Sequence, residues 1–221
     1  MAICFLTSAF NNGFTPAFER VLKKYLPAET ADASNFVFIA SDFDDPHGNL
    51  HWAEEIRGKF GEIGVVFSGF HIVDHTVSPT QAEKYIRNAQ IIWLSGGDTL
   101  RQIVSFEEYH LREQLMGFDG IIIGMSAGSI NMADRVVLAR NIYDNAPEMA
   151  IYQGLGLVQI NIEPHLDPLN AEHLDDILEA SVHAPIYGLF DDSFILDDGQ
   201  HTTIYGPYCL YNLQNDAVSI G

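Results

Sequence analysis

Gly124-Met125-Ser126-Ala127-Gly128 sets a serine between glycines two places away on either side. An apolar run, Ile121-Ile122-Ile123, precedes it, and SINMADR (129–135) follows with the look of a helix. A serine on a sharp strand-to-helix turn has its Oγ thrust clear of the sheet, and the next amide faces a developing oxyanion. Small residues at −2 and +2 let such a turn close. The chemistry this predicts is nucleophilic attack by Ser126 on an acyl group. The plainer reading is a tight turn whose serine caps the following helix.

A serine nucleophile needs a base, and the base an acid to orient it. Nine histidines are available. His47 and His51 flank a polar loop and a helix start, His201 follows a turn, and His110, His173 and His183 fall in helical, solvent-facing contexts. His71 and His75 stand four apart around Asp74, but no cysteine or third histidine is near in sequence, so no metal is expected. His165 differs. In Asn161-Ile162-Glu163-Pro164-His165 it closes an expected strand, and open α/β sheets carry their sites at the carboxyl ends of strands. Taken alone, it reads equally well as a structural histidine.

Trp93-Leu94-Ser95-Gly96-Gly97-Asp98-Thr99 puts a glycine pair at a strand end, before a helix. Glycines there permit close backbone approach, and the helix N-terminus favours an anion. The stretch lacks the Walker lysine and the G-x-G-x-x-G spacing, which argues against a nucleotide site. A second oxyanion amide fits the serine. Asp42 to Asn49 has a superficial likeness to a calcium loop, but its glycine is one place late and Ala53 stands where the bidentate glutamate belongs. No cofactor is expected.

The elements that must hold these groups alternate. Residues 2–9, 36–41, 63–67, 90–94 and 119–125 are short apolar runs suited to strands buried on both faces. Thr15-Pro16 and Ser78-Pro79-Thr80-Gln81 are helix starts between them. Five strand–helix alternations predict an α/β fold, a mainly parallel sheet with helices on both sides. The last third predicts a strand over 155–163, a helix over 169–183, and hairpins built from 186–190, 193–196, 201–205 and 208–213. These extend the sheet in antiparallel fashion. Residues 1–221 read as a single domain.

Thirty acidic against eleven basic residues give a net charge of −19, which repels phosphates and anionic lipid. Nucleic-acid and membrane partners are therefore not expected. No apolar run reaches the roughly 18–20 residues of a membrane span, and the N-terminus has no basic region ahead of an apolar one. Cys4 and Cys209 read as two buried thiols in a reducing compartment, so the expected location is cytoplasmic.

Four pieces together are specific. Ser95-Gly96-Gly97-Asp98-Thr99, Gly124-Met125-Ser126-Ala127-Gly128, Pro164-His165 and Gly188-Leu189-Phe190-Asp191-Asp192-Ser193 occur in the order found in the peptidase E (aspartyl dipeptidase) group of serine peptidases, to which cyanophycinases are related. The chain resembles that group over essentially its whole length. The resemblance implies a three-layer, flavodoxin-like sandwich related to class I glutamine amidotransferases, with serine in place of their cysteine. It implies a small-peptide substrate, Ser126 as nucleophile, His165 as general base, and the amides of Gly97 and Ala127 as oxyanion hole. For the acid it offers Asp191, and alternatively Asp144 in Arg140-Asn141-Ile142-Tyr143-Asp144. Asp191 is preferred because it follows a strand. Self-association into a homo-oligomer is compatible with the resemblance.

Two departures stand out. Asp98 occupies a place where asparagine is commoner, and the basic residue expected early in the helix after the histidine is missing from Asn170-Ala171-Glu172-His173. All eleven Lys and Arg residues lie between Arg20 and Arg140, with Arg101 and Arg135 nearest in sequence to the oxyanion motifs. A substrate aspartate is normally met by a guanidinium or ammonium. Strict preference for N-terminal aspartate is therefore expected to be weakened or absent. Two other functions remain open from the residues: a non-catalytic pocket for a small metabolite, and an esterase, against which the modest length and lack of a cap segment count. A histidine base also predicts activity that rises with pH through the imidazole range.

Overall fold

The computed structural model describes residues 2–26, 34–141, 145–213 and 217–221. Five strands, β1 (Ile3–Thr7), β2 (Ser34–Ile39), β3 (Phe67–Val73), β4 (Ile91–Leu94) and β5 (Ile121–Met125), run parallel in the order β1-β5-β4-β2-β3. Two more, β10 (Phe194–Asp197) and β11 (Thr202–Tyr205), continue the sheet antiparallel beyond β1. This is the expected α/β architecture: a mainly parallel sheet flanked by helices. β4 lies wholly buried as Ile91-Ile92-Trp93-Leu94, because a strand in the middle of a parallel sheet shows neither face to water.

Helices α1 (Pro16–Tyr25), α2 (Pro46–Glu62), α3 (Pro79–Arg87), α4 (Thr99–Glu108) and α5 (Leu111–Met116) connect these strands. Each of the first three has proline near its first helical position, and Thr15, Asp45 and Ser78 cap them through their side chains. Phe18 of α1 packs edge-on to Phe5 of β1 and to Phe194 of β10, with ring centroids 5.4 and 5.3 Å apart. Burial of such a ring contributes about 1.5–3 kcal/mol. These contacts fix the helical layer against the strands that bear the site.

The C-terminal third divides. β10 and β11 join the main sheet through the hairpin at Asp197-Asp198-Gly199. By contrast, β8 (Asn161–Glu163), β9 (Ile186–Leu189), β12 (Tyr208–Asn212) and β13 (Ala217–Ile220) form a second sheet, ordered β13-β12-β9-β8. β8 and β9 are parallel in it, linked through α7 (Ala171–Ala180). Leu166, Ile177, Ala180, Ile186 and Tyr211 give this sheet a small apolar core of its own. A two-stranded hairpin, β6 (Arg135–Leu138) with β7 (Ala150–Gln153), completes the set.

Three expectations about elements need correction. The strand expected at 63–67 begins only at Phe67, because α2 runs on to Glu62 and Gly64 turns the chain at φ +79°. β3 is an edge strand with mostly half-buried residues, so its apolar signal is weak. The strand expected over 155–163 is confined to its last three residues. Leu155, Gly156, Leu157 and Val158 instead donate backbone hydrogen bonds to the carbonyls of Asn131, Ala133 and Met132. SINMADR is not a full helix: α6 spans only Ala127–Ile130 before the chain turns into β6.

Among the described residues no helix is long and apolar enough to cross a membrane. Cys4 and Cys209 are both free and buried; burial, with a smaller contribution from Asp197, pushes the Cys4 thiol up to about 12.

Candidate active site

Parallel strands deliver their carboxyl ends to one edge of a sheet, and the loops there converge. Ser126 follows β5, Ser8 follows β1, the Ser95–Asp98 stretch follows β4, and Ser41 and Asp42 follow β2. The parallel pair β8 and β9 contributes His165 and Asp191 in the same manner.

Ser126 sits in the turn between β5 and α6 with φ 49° and ψ −114°, a conformation that non-glycine residues seldom adopt. Backbone strain of this kind costs on the order of 1–3 kcal/mol and must be held by its surroundings. The holding contacts are visible. The amide of Ser126 donates to the carbonyls of Thr7 and Ser8 at 3.0 and 3.1 Å. The buried hydroxyl of Ser129 accepts from the amide of Thr7 and donates back to its carbonyl, at 2.8 and 2.9 Å. A Cβ on Gly124 would lie 2.6 Å from the amide nitrogen of Ser129, and one on Gly128 2.3 Å from the carbonyl oxygen of Leu94. Both flanking glycines are therefore required by backbone proximity. Ser126 occupies the N-cap position of α6, yet its side chain makes no capping hydrogen bond. The helix-cap reading of this serine is thus not the one observed.

Its hydroxyl instead faces a histidine. Ser126 Oγ is 3.0 Å from His165 Nε2, and His165 Nδ1 is 2.8 Å from Asp191 Oδ1. Ser8 ties the pair together: its hydroxyl accepts from the backbone amide of His165 at 2.8 Å and donates to Asp191 Oδ1 at 2.9 Å. Asn11 donates its side-chain amide to Asp191 Oδ2 at 3.1 Å. Burial pushes the Asp191 carboxyl up, but the hydrogen bonds from Ser8, Asn11 and His165 outweigh it and hold the group below the ordinary carboxylate value. A carboxylate that stays ionised can fix one imidazole tautomer and stabilise the imidazolium. Asp191 lies where the chain leaves β9 for β10, and so passes from the second sheet to the first. The amide of Asp192 donates to the carbonyl of Ala9 at 2.7 Å, closing that crossing.

A cavity of about 510 Å³ opens in front of Ser126 and His165. Gly96 and Gly97 form one side of it. Gly97 adopts φ +142°, and a Cβ there would sit 2.2 Å from Ser41 Oγ, so the oxyanion candidate needs glycine. Ala127 opens α6, where backbone N–H groups have no intrahelical acceptor. Asp98, the departure near this loop, caps α4 by accepting from the amide of Arg101 at 2.9 Å.

The structure brings the expected Ser126, His165 and Asp191 together, each within hydrogen-bond distance of the next, and sets Gly97 on the wall of the same cavity. Asp144, the alternative acid, lies outside the described residues. Ser8 and Asn11 were missed. Their only signal is a polar cluster, Thr7-Ser8 and Asn11-Asn12, directly after a buried apolar strand. Arg101 does not face the cavity freely, since it pairs with Asp42 at 2.6 Å and Asp44 at 2.9 Å. Arg135 points elsewhere, donating to the carbonyl of His183. His71 stacks on Tyr85 with centroids 4.0 Å apart, while His75 bonds Asp44 at 2.7 Å, so the two histidines do not share a ligand. His47 and His51, expected to flank a polar loop and a helix start, both lie in the first turns of α2.

His173 corrects a further expectation: it is buried rather than solvent-facing, with Nε2 3.1 Å from Glu163 Oε1. The Glu163 hydrogen bond raises its pKa against the opposing effect of burial. A raised histidine contributes stability fully below about pH 6.5, its unfolded value, and loses it as pH climbs through the folded value. Breaking a buried pair by removing one partner costs about 3–5 kcal/mol. His173→Gln should therefore lower the melting temperature strongly at pH 6 and less at pH 9. Equal losses at both pH values would contradict this. Because Glu163 ends β8 two residues before His165, the pair also anchors the strand that presents the histidine.

The chain is similar to known peptidases. The model of peptidase family S51 matches residues 5–205. A peptidase E from Nostoc sp. is 32% identical over 175 residues, covering 73% of this chain and 68% of its own. Among solved structures, a peptidase from an acI-B1 actinobacterium has a TM-score of 0.73 at 13% identity, over 100% of this chain and 94% of its own. A peptidase E candidate from Listeria monocytogenes EGD-e has a TM-score of 0.66 at 17% identity, over 93% and 98% respectively. At such identities these two likenesses bear on the fold alone. The family match and the Nostoc relative carry the assignment: the chain belongs to peptidase family S51, the serine peptidases of the peptidase E type.

Proposed function

We propose that this protein hydrolyses small peptides, as a dipeptidase does, through an acyl-enzyme on Ser126. The observation that carries the reading is the chain of hydrogen bonds from Ser126 Oγ through His165 to Asp191. His165 Nε2 takes the hydroxyl proton as Oγ adds to the carbonyl carbon of the N-terminal residue. The amides of Gly97 and Ala127 receive the resulting oxyanion. The C–N bond then breaks, His165 returns the proton to the leaving amine, and the N-terminal residue remains as an ester on Ser126. Water then adds to the ester carbonyl as it gives a proton to His165; the acyl C–Oγ bond breaks as His165 passes that proton to Ser126 Oγ, which releases the acid and the free serine. Asp191 holds the imidazole throughout and stays ionised. Two free, buried thiols support a reducing, cytoplasmic setting.

A fluorophosphonate probe tests the reading, since it labels an activated serine and spares an ordinary one. One adduct at Ser126, absent from Ser126→Ala, is the expected result. Folded protein that takes no label between pH 6 and pH 9 would favour a non-catalytic pocket for a small metabolite.

A further inference from the structure

Carboxylates of the protein itself occupy the two helix N-termini at the wall of the Ser126 cavity. α2 and α4 both begin at its wall, and a helix N-terminus is the natural seat for a ligand's carboxylate. Both seats are already taken by the protein's own side chains. Asp45 Oδ1 accepts from the amide of Gly48 at 3.0 Å, and Asp98 Oδ1 from that of Arg101 at 2.9 Å. Asp42 makes a third carboxylate on the wall.

Cationic side chains are absent from it. All eleven Lys and Arg residues are among those described, and none lines the cavity. Arg101, which pairs with the wall residue Asp42, is spent on Asp42 and Asp44. A substrate carboxylate would have to displace one of these partners while approaching Asp45 and Asp98.

The same wall suits a cation. Asp45 Oδ2 takes no hydrogen bond among the described residues, and it lies over Gly48, where a Cβ would be only 2.2 Å away. Glycine at 48 leaves room for that oxygen, and Asp45 and Gly48 both line the cavity. Trp52, one turn further along α2, also lines the cavity and is 52% exposed. A cavity wall that offers both an exposed indole and a carboxylate oxygen without a hydrogen bond suits a guanidinium, which stacks through its plane and donates through its edge.

We propose that this site selects peptides whose N-terminal residue carries a cationic side chain, arginine above all, with Asp45 as the specificity-determining carboxylate. The proposal rests on the peptidase reading for its setting, yet it can be tested without turnover. Binding of Arg-Leu, citrullinyl-Leu and Asp-Leu to Ser126→Ala is measured by calorimetry. Citrulline keeps the shape of arginine and removes its charge. Arg-Leu should bind at least tenfold tighter than citrullinyl-Leu, and Asp-Leu weakest. In Ser126→Ala/Asp45→Asn the ratio should fall to near one; asparagine caps a helix as well as aspartate does, so α2 is preserved. Equal binding of the charged and neutral peptides, an unchanged ratio in the double variant, or tightest binding of Asp-Leu would each overturn the proposal. Failure of the peptidase reading appears separately, as wild-type protein that cleaves none of the three peptides and takes no fluorophosphonate.

Discussion

Ser126→Ala should lower kcat/KM for dipeptide hydrolysis by about 10⁴-fold or more while leaving the melting temperature close to that of the wild type. Alanine keeps the Cβ and every backbone contact of the strained turn, so the fold loses only a hydroxyl hydrogen bonded to His165. What disappears is the covalent route. Four orders of magnitude correspond to about 5.4 kcal/mol of transition-state stabilisation. Removal of a triad nucleophile costs this much or more in serine peptidases generally, with residual catalysis from oxyanion donors and binding. Steady-state kinetics on the best dipeptide of a library screen, with wild type alongside, measures it. A variant retaining more than a hundredth of wild-type activity would rule out Ser126 as the nucleophile.

Asp191→Asn should be nearly as damaging, by about 10³–10⁴-fold in kcat, with KM little changed. The substitution is isosteric. It removes the charge that stabilises imidazolium and lets the amide present the wrong partner to Nδ1, the failure seen when a triad aspartate becomes asparagine. Ser8 and Asn11 both donate to this carboxylate, so their donors would lose an ionised acceptor as well. Asp144→Asn is the decisive control and should stay within about tenfold of wild type. If the two variants exchange behaviour, Asp144 is the orienting acid and Asp191 is a structural carboxylate.

Much of this site could be read from the chain because its chemistry is local. The elbow is five consecutive residues, and each glycine in it has a backbone reason that sequence spacing already implies. The glycine pair at Gly96-Gly97 and the strand-end position of His165 are equally local. Asp191 was harder, since Asp191-Asp192 is indistinguishable from a solvated turn until the four motifs are taken together. Ser8 and Asn11 lay out of reach, because their contacts with Asp191 span 183 and 180 positions and nothing in the intervening sequence registers them. Burial failed at His173 for a similar reason: a polar helix face looks exposed until its partner, Glu163, is known to lie beneath it. The misplaced β3 follows Gly64, a positive-φ glycine just past the end of α2, and the overlong β8 includes apolar residues 155–158 whose amides bond the 131–133 segment instead of a strand.

The division of the proposed triad between two sheets has a temporal meaning. Ser126 is carried by β5 of the main sheet, whereas the turn that carries Asp191 exists only once β9 and β10 have both been laid down. Ribosomes add about 5–20 residues per second, so several seconds separate the emergence of the serine from that of its acid. A nascent chain can fold its parallel strands in that interval with its hydroxyl unarmed. Under the proposed triad, the chain would stay inactive until its second sheet is made, with no cleavage needed to arm it.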